Sequence, residues 1–229
     1  MRRTSPLAAT VLALAALTAL SVLFPAALHA QARQPQSASS GDSSVAIRGF
    51  GEAGATVFSA KESFKAILGR PSGPVFGGGV ELVVKKHLFV SVGASRFRRT
   101  GHRVFVFNGQ VFNLDDPATI TVTPLEFNAG YRFRATGIVP YAGGGIGRYK
   151  YQETSPHSDD SENVNTTTTG YQVLGGAEVP LGKWLAAAAE AQFASVPKAL
   201  GNDSTGVSSL YDEHNLGGFT FRVKVVVGR

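Results

Sequence analysis

The 229-residue sequence contains no cysteine, one tryptophan and one methionine. Without cysteine there is no disulfide scaffold, no thiolate metal site and no cysteine nucleophile. Charge is scarce: 17% of residues are charged, below the roughly 25% of an ordinary soluble domain. Beyond the first thirty residues, no apolar run approaches the roughly 18 residues of a membrane-spanning helix. The basic excess of +6 is modest and too small by itself to suggest nucleic acid as a partner. What is plentiful is glycine, 27 residues, against a usual level of about 7%. The 43% apolar content excludes a mostly disordered chain. Mean hydropathy is close to zero, which excludes a helical membrane protein. The length suits one domain with a sizeable core.

The first thirty residues read as an address. Arg2 and Arg3 precede an apolar run from Leu7 to Leu28, interrupted by Pro25. Small residues follow at Ala30 and Ala32. This is the pattern of a secretory signal peptide over residues 1–30, cleaved after Ala30 or Ala32. Losing Arg2 and Arg3 takes the formal charge from +6 to +4. Residues 31–43, rich in Gln and Ser, form a flexible leader. The remainder, 44–229, is one domain.

That domain divides into eight segments that alternate polar or small with apolar residues at period two. They are Ser44–Ser59, Pro74–Lys85, Leu88–Arg98, Thr119–Arg134, Tyr141–Gln152, Thr167–Val179, Leu185–Ser195 and Asn215–Val227. Most reach the 9–11 residues needed to cross a bilayer as tilted strands. Only Leu185–Ala191 has helical character, and its alternation favours a strand. Connections alternate between short turns and long polar loops. Even strand number with that alternation is the signature of an antiparallel up-and-down transmembrane β-barrel.

Val104, Phe105, Val106 and Phe107 lead into Asn108-Gly109, a two-residue type I′ turn. Pairing about this turn makes opposing residue numbers sum to 217. Gly101 then faces Asp116, as matched bulges, and Val92 faces Leu125, Val90 Phe127 and Ser91 Glu126. Strands three and four are therefore expected to continue beyond the membrane as a hairpin.

The last segment sorts its faces clearly. Phe219, Phe221, Val223, Val225 and Val227 oppose Gly218, Thr220, Arg222 and Lys224. The charged face fits a barrel lumen and not the apolar core of a sandwich. Inward parity collects Arg48, Glu52, Glu81, Glu126, Arg132, Glu178, Glu190, Arg222 and Lys224. An eight-stranded interior is just wide enough to be filled by side chains, and buried charges need partners. A plugged barrel with a charge network is expected. Inward glycines such as Gly77, Gly79, Gly143, Gly145 and Gly147 make room for it.

Aromatic residues gather near both strand ends, as two membrane interfaces require. Phe89, Tyr131, Phe133, Tyr141 and Trp184 are at the short-turn end. Phe58, Phe97, Tyr149, Tyr151, Tyr171, Phe193, Phe219 and Phe221 are at the loop end, with Phe97 alone pointing inward by parity.

Four stretches, Pro74–Val80 (PVFGGGV), Thr123–Phe133 (TPLEFNAGYRF), Pro140–Tyr151 (PYAGGGIGRYKY) and Phe219–Val227, resemble the small eight-stranded outer-membrane barrels. These are the OmpA-transmembrane, OmpX and opacity-protein type. The resemblance covers about Ser44 to Arg229 and implies a bacterial outer-membrane location reached through the periplasm. It also implies insertion by the outer-membrane assembly machinery, and a role in adhesion, surface protection or envelope integrity residing in the loops. Such chains commonly end on an aromatic residue; this one ends Val227-Gly228-Arg229. No peptidoglycan-binding domain is expected after the last strand.

A search for chemistry finds little. The histidines after the leader are His87, His102, His157 and His214, in turns and loops. No strand carries the His-x-Ser pair of the lipid-A-trimming barrels. His157 and Ser158 are adjacent and would point apart. Asp159, Asp160 and Glu162 lack calcium-loop spacing, and no glycine run has the strand–helix context of a phosphate loop. No catalytic, cofactor or metal residue is expected.

The loops divide by charge. The first carries Lys61, Lys65 and Arg70 against Glu62. The second has Arg96, Arg98, Arg99 and Arg103 against Asp115 and Asp116. The third holds Glu153, Asp159, Asp160 and Glu162. The fourth sets Lys198 against Asp203, Asp212 and Glu213. Arg98, Arg99 and Arg103 are candidate contacts to lipopolysaccharide phosphates. Alternatively, oppositely charged loops attract one another and close the barrel top. The hairpin Val104, Phe105, Val106, Phe107, Asn108 and Gly109 is the candidate recognition element for an extracellular partner, unless it packs on Phe64, Ile67 and Leu68. A monomer is expected. The alternatives are a narrow channel for small solutes and a barrel binding a small apolar ligand.

Overall fold

A computed structural model describes residues 45–133, 137–156, 163–200 and 206–228. The expected signal peptide and leader, Arg134, His157, Ser158, Asp159, Asp160, Glu162 and Asp203 lie outside these residues. Eight strands run in chain order: β1 (Val45–Phe58), β2 (Ser72–Val84), β3 (Leu88–Phe107), β4 (Gln110–Arg132), β5 (Val139–Thr154), β6 (Val164–Pro180), β7 (Leu185–Ser195) and β8 (Gly218–Gly228). Among the described residues, two helices sit in the loops, α1 (Lys61–Leu68) and α2 (Val207–Leu210). Each strand pairs with its chain neighbour, and β8 returns to β1, so the sheet closes. Closure leaves no unpaired edge within the barrel.

The faces are inverted relative to a soluble protein. On β8, Phe219, Phe221, Val223, Val225 and Val227 are exposed while Arg222 is buried. Outside, Phe76, Ile146, Val173 and Val223 are each about 60% exposed; inside, Glu126, Glu178 and Glu190 are each about 5% exposed. A ring of exposed apolar residues this extensive is stable only against a solvent that is itself apolar. No helix among the described residues is long and apolar enough to cross a membrane, so the crossing is made by strands.

Three expectations need correction. The first concerns register. At the ribbon tip, Phe105 faces Phe112 and Val104 faces Asn113, a sum of 217. Below it the register shifts: His102 faces Pro117, Gly101 faces Ala118, Val92 faces Phe127 and Val90 faces Ala129. Between these pairs β3 has Arg103 alone, whereas β4 has Leu114, Asp115 and Asp116. The bulge is therefore one-sided. Asp115 turns it at φ 58, its amide donating to Asn113 Oδ1 at 2.9 Å. A two-residue shift preserves side-chain parity, so the polar-to-polar matching seen in the sequence also fits the wrong register.

The second concerns helices. Leu185–Ser195 is a strand throughout, and the regular helix is in the first loop. Phe64, Ile67 and Leu68 form its apolar stripe. Gly69, at φ 73, ends it with its amide donating to Lys65 O at 2.9 Å.

The third concerns aromatics. Tyr131, Phe133 and Trp184 face outward at the turn end, as do Tyr171, Phe193, Phe219 and Phe221 at the loop end. Phe89, Tyr141, Phe58, Tyr149 and Tyr151 instead join Phe97 inside. Phe89, Tyr141, Tyr149 and Phe97 lie over inward glycines. A Cβ at Gly130 would stand 2.6 Å from the Phe89 ring, and one at Gly176 would stand 2.5 Å from the Tyr141 ring. The glycines thus make room for inward rings as well as for charges.

Candidate functional site

The lumen is layered along the barrel axis. At the turn end lies an open mouth of about 640 Å³, lined by Arg48, Arg132, Glu178, Lys86, Lys183 and Trp184. Just above, Arg48 binds Glu81 and donates to Glu178 Oε1 at 2.8 Å. Arg132 grips Glu178 with both terminal nitrogens, at 3.0 and 2.6 Å. Two bases thus balance two acids in a charge-assisted, bidentate arrangement.

A second cluster fills the middle. Arg222 Nη1 donates to Glu52 Oε1 at 2.8 Å and lies 3.5 Å from Glu126 Oε2. Its Nε stands 3.4 Å from Glu190 Oε1. Lys224 donates to Glu190 Oε2 at 2.6 Å and sits 4.8 Å over the Phe50 ring. Three acids therefore meet two bases. Neutral donors serve the extra charge. Tyr149 donates to Glu126 Oε1 at 3.0 Å and Gln192 Nε2 donates to the same oxygen at 2.6 Å. Tyr141 donates to Glu190 Oε2 at 3.1 Å. All nine charged residues singled out by inward parity occupy these two clusters. Sequence reasoning left out the donors Tyr141, Tyr149 and Gln192, although they have the same parity.

Above the charges, a cavity of about 50 Å³ separates them from an apolar plug. In the plug, Phe64 of α1 stacks on Phe58, with ring centroids 4.1 Å apart, and Phe97 meets Phe58 edge-on at 4.9 Å. Ile120, Val122, Val196 and Leu216 complete it. Helix α1 covers the loop end of the lumen with its backbone resting on Gly101, where a Cβ would lie 2.0 Å from Ile67 O. Its N-terminus is held by a distant acid. The Glu213 carboxylate accepts from Glu62 N at 3.1 Å, Ser63 N at 2.8 Å and Ser63 Oγ at 2.8 Å. Orphan helix amides and the helix dipole favour such an anion. Loops one and four therefore meet through a helix end, while Lys65 pairs with Glu62 of its own helix at 3.7 Å.

Beyond the plug, β3 and β4 continue as a two-stranded ribbon. Asn108 at φ 49 and Gly109 at φ 73 make its turn. Phe105 stacks on Phe112 at 5.3 Å. Phe105, Phe107, Phe112 and Leu114 stay exposed and do not join the plug; Val104 and Val106 are half-buried.

The candidate phosphate contacts do not converge. Arg98 is on the outer wall. Arg99 is on the opposite face, its Nη1 donating to Ser72 O at 3.0 Å. Arg103 acts on Glu153. At that loop end of β5, above the outward aromatic residues, burial pushes the Glu153 carboxyl above its ordinary range. The Tyr151 hydroxyl, donating at 3.0 Å, and the Arg103 charge oppose this.

The described histidines form no catalytic constellation. His87 Nδ1 lies 3.2 Å from Arg132 O, and His214 Nε2 lies 3.3 Å from Asp212 Oδ1. Among the described residues no group of three or more His, Asp or Glu could hold a metal.

A closed eight-stranded barrel with an apolar outer wall and a charged, filled lumen defines the class of small transmembrane barrels. The chain belongs to the outer membrane protein beta-barrel domain family, whose sequence model matches residues 12–220. Membership places it in the bacterial outer membrane. Among curated proteins, none matches. Among solved structures it is similar to Neisserial surface protein A, with 15% identity, a TM-score of 0.49, and coverage of 81% of this chain and 97% of that one. It is also similar to the N-terminal barrel of Pseudomonas aeruginosa OprF, with 12% identity, a TM-score of 0.43, and coverage of 81% and 96%. A third is Ail of Yersinia pestis, with 12% identity, a TM-score of 0.46, and coverage of 80% and 97%.

Proposed function

We propose that the protein is a non-enzymatic surface protein of the outer membrane, exported through the periplasm and inserted as a monomer by the assembly machinery. Its barrel is a mount, and its work is adhesion or envelope integrity performed by the β3–β4 ribbon. The observation that carries this reading is the exposed cluster of Phe105, Phe107, Phe112 and Leu114 on a ribbon that stands clear of the plug. Exposed aromatic residues on a rigid projection are the usual anchors of a protein contact. The filled lumen supports this reading against a channel, and the charge layers support it against a carrier of apolar ligands.

The test replaces these four residues with Ser or Thr in living cells and measures attachment to host surfaces and cell–cell aggregation. Both are expected to fall while the barrel still runs as a compact, heat-modifiable band. Unchanged attachment and aggregation would refute the assignment.

A further inference from the structure

The outer wall changes character abruptly in one sector. On β3 the outward positions pass from Ala94 to Arg96 and Arg98. On β4 they pass from Leu125 to Thr123 and Thr121. On β5 they pass from Ile146 to Arg148 and Lys150. The register brings these together. Arg98 faces Thr121, and the same offset sets Arg96 opposite Thr123. Thr123 in turn faces Lys150, and Leu125 faces Arg148. Neighbouring strands lie about 4.8 Å apart, so Arg96 and Lys150 flank Thr123 across roughly 10 Å. Arg98 is one outward step above Arg96, and Arg148 one below Lys150. All four cations are exposed, and among the described residues no ion pair or hydrogen bond engages them.

The concentration is local. On β2 and β7 the outward positions above Phe76 and Phe193 are Pro74 and Ser195. The cations therefore do not form a girdle; they mark one side of the barrel.

We propose that this sector, Arg96, Arg98, Thr121, Thr123, Arg148 and Lys150, is a binding site for a lipid headgroup bearing two or more phosphates. Guanidinium groups bind phosphate oxygens through paired donors, and lysine adds a mobile point charge. The threonines between them offer hydroxyl donors, although Thr121 is largely covered by its neighbours. The height of the site argues for a lipid over a soluble anion. The cations begin one outward step beyond the apolar wall, where headgroup phosphates lie while the acyl chains run down past Leu125, Phe127 and Ile146. The site is independent of the ribbon and requires only the membrane placement.

The test titrates detergent-purified, full-length barrel with diphosphorylated lipid A, its dephosphorylated counterpart and inorganic pyrophosphate, following bound mass by native mass spectrometry. The wild type is expected to retain the diphosphorylated lipid. The R96Q/R98Q/R148Q/K150Q variant is expected to bind it about tenfold more weakly, with much of the salt dependence gone. A K85Q/K86Q/K183Q variant, which removes charge at the turn end, is expected to bind as the wild type does. If the fourfold variant does not fold, R96Q/R98Q is expected to lose about threefold. Three results would overturn the proposal: undiminished binding by the outer-wall variants, equal loss in the turn-end variant, or pyrophosphate binding as tight as that of the lipid.

Discussion

Arg222 stands among Glu52, Glu126 and Glu190, with Lys224 as the other base near them among the described residues. Removing it leaves three buried carboxylates to one lysine. Breaking a buried pair this way costs about 3–5 kcal/mol. R222M is therefore expected to unfold at markedly lower urea from detergent, and R222M/E126Q to recover part of the loss. A wild-type midpoint for R222M would contradict this electrostatic account. Glu153 supplies a pH-dependent case. Its folded carboxyl holds a proton more tightly than the unfolded one. Its contribution is thus most favourable at low pH. It declines as pH rises from the ordinary carboxylate range through the folded value. E153Q keeps an acceptor for Tyr151 and is expected to abolish that slope, making the protein more stable at neutral pH. Measuring unfolding midpoints between pH 4 and 8 (an interval of about four units around the carboxylate range) checks the sign. Inward charge was legible from period-two parity, since Arg222 and Glu126 have no other reason to alternate with Phe and Val. Their individual partners were not, because strand parity names a face and leaves height and rotamer open.

Helix α1 shows what an element adds that alternation cannot reveal. Phe64, Ile67 and Leu68 are visible in the sequence at helical spacing, and Gly69 follows them as a stop signal. The cap that completes the helix comes from Glu213, far along the chain. The one-sided bulge was hidden for a related reason: a register shift of two leaves every face assignment intact, so alternation gives no warning of it. F64A removes the ring that stacks on Phe58. The expected cost is about 3–5 kcal/mol, confined to the plug. The strand ladder should survive, so the variant should still migrate as a compact barrel. Limited proteolysis should now cut within residues 59–71. Cutting as slow as in the wild type would show that the plug does not depend on this ring.

At the scale of the whole molecule, two charge layers and an apolar cap lie in series across the lumen. The wild type in planar bilayers is expected to give no stepwise conductance, and F64A alone is expected not to restore it, because the charge layers remain. Regular single-channel steps from the wild type would establish an open path and overturn the filled-lumen reading. The fold class was legible because a closed barrel repeats one rule on every strand, apolar outside and polar inside. Of the outer-wall cation sector, the sequence singled out Arg98 as a phosphate contact and set Arg96 beside it; Arg148 and Lys150 were missed, since they come from another strand and meet the others only through the register.

The plug has a consequence for how the barrel stays shut along its length. A barrel closed from a linear chain has one join between its first and last strands. Phe58 ends β1, Leu216 lies two residues before β8 begins, and both are buried in the same apolar cluster. Ser59 N donates to Gly217 O at 2.7 Å across that join. Glu213 ties the segment before β8 to the helix after β1. The stopper in the mouth is thus also a latch on the side. Parting β1 from β8 is therefore expected to require release of the latch, which couples the side join of the barrel to the plug at its loop end.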